Sequence, residues 1–313
     1  MEKFNLLLII RNYSKWIHTA PFYLQEELSK ITNLFVWNED GDISNILNTI
    51  HFKPDFILIY LFDTEANAPK ITGLRNLKIP YGIYIEDLHH NPAKTYAAIK
   101  HENVENIFTC YRDAFHKFYP DFSHKIKWFP HHVNTEIFKD YGQKKDIDML
   151  LMGAVIPYYY PLRCKILETY QNEANFIYHG HPGYRNIDNE EFQNVFVRES
   201  YAKEINRAKL FFTCNSIYGY TILKYFEVLA CNTLLLAPSS DEILDLGLKP
   251  GVHFVEIDEN NFMEKANYYL THDEEREEIS KNGFELVQEK HATTQRAQQL
   301  KEMIHEILKV KEG

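Results

Sequence analysis

Short apolar runs alternate with longer amphipathic stretches from one end of the chain to the other. The runs at 4–10 (FNLLLII), 33–37 (NLFVW), 55–60 (DFILIY), 81–85 (YGIYI) and 106–110 (NIFTC) read as strands. Ala20 to Lys30 and Asn91 to His101 lie between them with helical spacing, and Pro92 suits a first helical turn. Near-continuous apolar strands joined by helices predict a parallel sheet covered on both faces. This first Rossmann-like lobe is expected to end near Phe138, with the polar stretch Lys139 to Ile147 as a linker. The pattern then restarts. Strands are predicted at 147–153, 175–180, 194–197, 209–214, 233–238 and 252–257, with a helix from about Pro161. From about Asn260 the chain is helical and densely charged. The expected fold class is α/β, with two doubly wound parallel-sheet domains facing across a cleft. The expected boundaries are 1–140, 141–295, and a C-terminal helix at 296–313 packing back on the first domain.

A length of 313 residues agrees with two cores rather than one. The 21 Tyr and 21 Phe are a high count, expected partly in the core and partly along a cleft, since stacking suits both sugars and bases. The net charge of −10 is spread along the chain, which argues against a nucleic-acid partner while leaving room for a locally basic pocket. Cys110, Cys164, Cys214 and Cys231 form no CxxC pair and read as reduced thiols of a cytoplasmic protein. The apolar run Phe4 to Ile10 is too short to span a bilayer and lacks signal-peptide features, so no transmembrane segment is expected. No GxGxxG, GxxxxGK[ST] or GxSxG sequence occurs, which removes the support for dehydrogenase, P-loop and α/β-hydrolase readings.

Open α/β sheets bind ligands at the carboxyl ends of their strands, where helix N-termini favour phosphates. Several segments at such ends resemble one family. Pro130-His-His-Val-Asn-Thr-Glu-Ile-Phe138 is similar to the PxGVDxxxF segment that closes the first lobe of group-1 GT-B glycosyltransferases. Asp148-Met-Leu-Leu-Met-Gly153 resembles the first strand and turn of their second lobe, and Tyr220 to Ala237 their donor signature R-x-FE-x-x-A-x-G. Asn282-Gly283 through His291 to Arg296 is similar to the closing helices of a spore-maturation-type subgroup. The resemblance spans roughly residues 130 to 300. It implies transfer of a sugar from a nucleoside-diphosphate donor to a hydroxyl-bearing acceptor, with no metal and no cofactor.

The resemblance makes Glu227 the ribose-binding carboxylate, since one carboxylate can accept two hydrogen bonds from a diol; a cap or an ion pair within the lobe is the plainer alternative. Lys224, three residues earlier on the same helix, and Arg163 are expected near the diphosphate, with Lys165 a further candidate. Gly219, Tyr220 and Thr221 can offer backbone N–H groups to it, although Gly219 stands where the family's pattern has a second Glu. Tyr178, His179 and Gly180, within Tyr178 to Tyr184, are expected against the nucleotide base. The spacing His179-Gly-His181 without a third ligand is poor support for zinc. In the first lobe, Glu86 or Asp87 is expected to act as base towards the acceptor and His89 to orient or share the proton; a helix cap before Pro92 explains the same residues. His131 and His132 are placed at the lobe junction, in packing or near the leaving group. Two other readings stand beside the transferase: a nucleotide-sugar epimerase of the same fold, and a degenerate transferase with a structural or coat role.

Overall fold

A computed structural model describes residues 3–62, 67–188, 191 and 194–312. The chain separates into two compact units. Unit 1 takes 1–14, 21–130 and 296–313, and unit 2 takes 15–20 and 131–295.

Unit 1 holds a six-stranded, wholly parallel sheet in the order β2-β1-β4-β6-β7-β8. The strands are β1 (Asn5–Ile9), β2 (Asn33–Trp37), β4 (Phe56–Tyr60), β6 (Tyr81–Ile85), β7 (Ile107–Thr109) and β8 (Ile126–Trp128). Two-residue strands β3 (Gly41–Asp42) and β5 (Ile71–Thr72) pair separately. The helices are α1 (Ala20–Ile31), α2 (Ile43–Thr49), α3 (Pro92–His101) and α4 (Arg112–Phe118). Every residue of β4 and β6 is buried, as a strand covered on both faces requires.

Unit 2 holds a second parallel sheet, in the order β10-β9-β11-β12-β13. Its strands are β9 (Ile147–Met152), β10 (Phe176–His179), β11 (Ala208–Phe212), β12 (Leu234–Ala237) and β13 (Val255–Glu256). The connecting helices are α5 (Pro161–Tyr170), α6 (Arg198–Arg207), α7 (Lys224–Ala230) and α8 (Asp241–Asp245), followed by α9 (Phe262–Thr271) and α10 (Asp273–Lys290). Helix α11 (Thr293–Glu312) runs on from unit 2 and belongs to unit 1 from Arg296 onward. On one face of the sheet Met149, Leu151, Leu210, Phe212, Leu234 and Leu236 pack against Ile166, Tyr170, Phe262 and Ile279. Tyr170 touches the rings of Phe176, Phe212 and Phe262, so aromatic residues fill this core. Both sheets are doubly wound: the strand order reverses between β1 and β4 in unit 1 and between β9 and β11 in unit 2.

Three features depart from the sequence reading. Residues 194–197 form no strand; Phe196 is 37 % exposed, and Val197 is the residue from which α6 starts. A four-residue apolar run here serves a helix entry rather than a sheet. Strand β8 is absent from the prediction because Ile126-Lys-Trp128 carries a charge between two apolar residues at the sheet edge. The polar stretch 139–147 is fastened to unit 2. Tyr141 N–H donates to Asn206 Oδ1 at 2.8 Å and the Asn206 amide donates to Lys139 O at 2.8 Å. Lys145 donates to Asn232 O and Thr233 Oγ1 at 2.9 and 2.8 Å.

Candidate functional site

The reversal of strand order in unit 2 opens a crevice between the loops that leave β9 and β11, the place where open α/β sheets receive ligands. Gly153 follows β9 directly with φ +122°, a conformation that disfavours any residue with a Cβ. The reason is also spatial. A Cβ there would lie 3.1 Å from Lys224 Cε, 3.3 Å from its Nζ and 3.5 Å from an Arg163 guanidinium nitrogen. Glycine thus lets two cations approach one stretch of backbone.

Arg163, only 3 % exposed, ties the two loops together. Its guanidinium donates to Ala154 O after β9, and to Thr213 Oγ1 and Cys214 O after β11, at 3.0–3.2 Å. It stacks 4.2 Å over the Tyr160 ring, while its Nε is buried without a partner. Lys224 opens α7, its Nζ 5.7 Å from the Tyr201 ring. Burial first, then Arg163, pulls the Lys224 amine down to about 8, and Glu227 opposes that shift. Among the described residues neither cation has a carboxylate within 4 Å. Two adjacent, enclosed positive charges without a paired carboxylate are costly in a finished fold. Their natural complement is an anion.

Two imidazoles complete the cluster. His181 is held down to about 4 by burial and by the charges of Lys224 and Arg163. Its Nδ1 accepts the Gly183 N–H at 3.0 Å, so Nε2 carries the proton of the neutral ring. His18, in the segment 15–20 that counts with unit 2, is likewise lowered to about 4 by burial and Lys224. At neutral pH both rings are uncharged.

Glu227 lies one helical turn from Lys224 and is 8 % exposed. Burial raises its carboxyl to about 7, with Lys224 and Tyr201 opposing the rise. The Tyr201 hydroxyl lies against it outside the geometry of a formed hydrogen bond. Glu227 is therefore more enclosed than an open ribose clasp, yet it stays beside the cations. Tyr178 also reaches the site, its hydroxyl donating to Gly153 O at 3.1 Å. Thr221 is buried, and its hydroxyl has no partner.

Other sequence candidates lie elsewhere or are otherwise engaged. The Gly219 N–H donates to Ser216 O at 2.8 Å, closing a turn at φ +76°, which removes it as a phosphate donor. Tyr220 is buried beside the Tyr218 ring at 5.5 Å. His179 pairs with Glu204 at 2.9 Å, and Arg207 joins the same carboxylate, so that ring serves an ion network. Gly180 and Lys165 are exposed. Tyr184 is 73 % exposed against His181, and His132 contacts Thr293 Oγ1 at 3.0 Å.

In unit 1, Glu86, Asp87 and His89 sit together just beyond the carboxyl end of β6. Burial, then Asp87, raises the Glu86 carboxyl to about 8, so below that pH it is a proton donor rather than a base. Asp87 is exposed, and His89 is lowered chiefly by burial. Asn91, at the start of α3, has φ 47° and makes no side-chain cap, which removes the capping role for that residue.

Residues 163–302 match the family model described as glycosyl transferase-like. No curated protein matches the chain. Among solved structures, the likeness extends over nearly the whole chain. HepE from Anabaena, in complex with UDP and glucose, aligns at 9% identity with TM-score 0.63, covering 97% of this chain and 100% of that one. Sucrose-phosphate synthase from Thermosynechococcus elongatus aligns at 10% with TM-score 0.65, covering 98% and 100%. A glycosyltransferase from Rickettsia africae aligns at 10% with TM-score 0.61, covering 99% and 100%. At such identities the likeness shows the fold, the two-domain parallel α/β architecture termed GT-B.

Proposed function

We propose, for a chain whose residues 163–302 match the glycosyl transferase-like family model, transfer of a sugar from a nucleoside-diphosphate donor to a hydroxyl acceptor. The observation that carries this reading is the Arg163–Lys224 pair over Gly153, two enclosed cations with no carboxylate within 4 Å among the described residues. A diphosphate satisfies both, and its charge grows as the glycosidic bond breaks, so the same cations favour departure of the nucleotide. Glu227 accepts from the donor's ribose, and Tyr178 stands near enough to stack on the base or ribose. That two fixed cations already serve the leaving group supports a reaction without a metal ion. HepE was solved with UDP and with UDP-glucose, which supports a nucleotide sugar as donor here. In unit 1, Asp87 acts as base towards the acceptor hydroxyl, because Glu86 holds its proton at neutral pH. A cytoplasmic location is part of the same proposal; among the described residues no helix is long and apolar enough to cross a membrane.

The test is incubation with UDP-, GDP-, ADP-, dTDP- and CMP-linked sugars in EDTA, followed by thermal shift and by analysis of free nucleotide. At least one diphosphate-linked donor should stabilise the protein and release its nucleoside diphosphate slowly to water, with the CMP-linked sugar as the monophosphate comparison. Indifference to all five would remove the reading, and conversion of a donor to its epimer without nucleotide release would favour an epimerase.

A further inference from the structure

We propose that His18 is a proton-coupled ligand of the Arg163–Lys224 pocket: a neutral imidazole until a diphosphate enters, and an imidazolium bonded to it afterwards. This rests on the reading of that pocket as a diphosphate site. The segment carrying His18 is not a loose loop. Trp16 forms an antiparallel bridge with Asn186, Ile17 N–H donates to Arg185 O at 3.0 Å, and Ile187 N–H donates to Lys15 O at 2.8 Å. These bonds fix the ring in unit 2, 6.5 Å from the ring of His131.

His18 Nε2 is sealed from solvent and has no protein partner. A buried polar nitrogen without a bond is rare in a native fold and calls for an explanation. The ionisable groups facing it are His131, Lys224 and, beyond Lys224, Arg163, His181 and Glu227. Burial first, and then the positive charge of Lys224, keeps the ring uncharged before an anion arrives. A diphosphate brings at least two negative charges into the same space and reverses the sign of the field. Solvent then supplies one proton, and Nε2 gains the acceptor it lacks.

His181 cannot play this part. Its Nδ1 already accepts the Gly183 N–H, so protonation there would break a bond; it remains a neutral donor through Nε2. The two imidazoles therefore divide the work, one with a fixed tautomer and one free to charge.

Imidazole carbon–proton NMR of the full chain at pH 7, with inorganic pyrophosphate as probe, tests this. The His18 signal is identified by its loss in His18→Gln or, should that variant unfold, by its proximity to the His131 ring. Pyrophosphate should move the His18 signal to the imidazolium position, lifting its midpoint from about 4 to above 7. His18→Gln should bind pyrophosphate about tenfold more weakly at pH 6, a loss that shrinks in alkaline solution. A His18 signal that stays neutral while other signals show saturation overturns the proton coupling alone. Failure of pyrophosphate to perturb any signal overturns the pocket reading together with it.

Discussion

At the level of single residues, Lys224 does most to set the character of the pocket. Its charge is one cause of the lowered His18 and His181 and the chief opposition to the rise in Glu227. Replacing Lys224 by Met should raise both imidazoles towards 6.5, because removing a nearby positive charge favours their protonated form. A pH titration of the imidazole signals reads this directly; unmoved midpoints would show burial acting alone. The sequence made Lys224 and Glu227 visible because one helical motif carries both, and Arg163 because it follows the first strand of the second lobe. His18 and Tyr201 were not visible, since only the fold brings them to Lys224, and no spacing along the chain encodes that meeting. Gly153 was legible as the end of a strand, but its closeness to two side chains was not. Glu86 offers a second prediction. Its folded value near 8 exceeds the ordinary 4.5, so the folded state keeps a proton that the unfolded chain loses. Stability should be full below about pH 4.5, fall as pH rises, and level off above about 8. Urea unfolding should show Glu86→Gln gaining on the wild type by up to a few kcal/mol between pH 5 and pH 8.5; parallel pH profiles would refute this.

Among the elements, the strands were the most legible part of the chain. Runs such as Phe56–Tyr60 and Tyr81–Ile85 are apolar throughout, a pattern that parallel strands covered on both faces require. One short edge piece escaped, because Ile126–Trp128 carries too few apolar residues to stand out, whereas the edge strand Val255–Glu256 falls inside the run predicted at 252–257. Helix packing was hidden almost entirely. Gly283 in α10 shows why: a Cβ there would meet His253 O at 2.4 Å and Leu229 Cδ2 at 2.7 Å. That closeness seats α10 against α7, the helix that presents Lys224 and Glu227. Gly283→Ala should cost about 1–3 kcal/mol in urea unfolding, the range for overpacking a close contact. It should also weaken nucleotide binding, since α7 must shift. A variant as stable as the wild type would mean that α10 relaxes freely.

Over the whole molecule, chain length and the restart of the strand–helix pattern suggested two cores, and each unit has its own parallel sheet. The path of the chain was harder to read. Residues 15–20 leave unit 1 to join unit 2, and α11 rejoins unit 1 at Arg296. The negative net charge gave no sign of the pocket, because the cations that matter are enclosed rather than spread on the surface. The proposed transfer therefore depends on a small basic site within an acidic protein. Calorimetric titration with UDP, GDP, ADP and dTDP in EDTA, for the wild type and Lys224→Met, examines that site most directly. At least one nucleotide should bind the wild type and bind the variant roughly 10- to 150-fold more weakly, the worth of a charge-assisted contact of about 1.5–3 kcal/mol. No binding by any of the four, or equal affinity in both proteins, would contradict it.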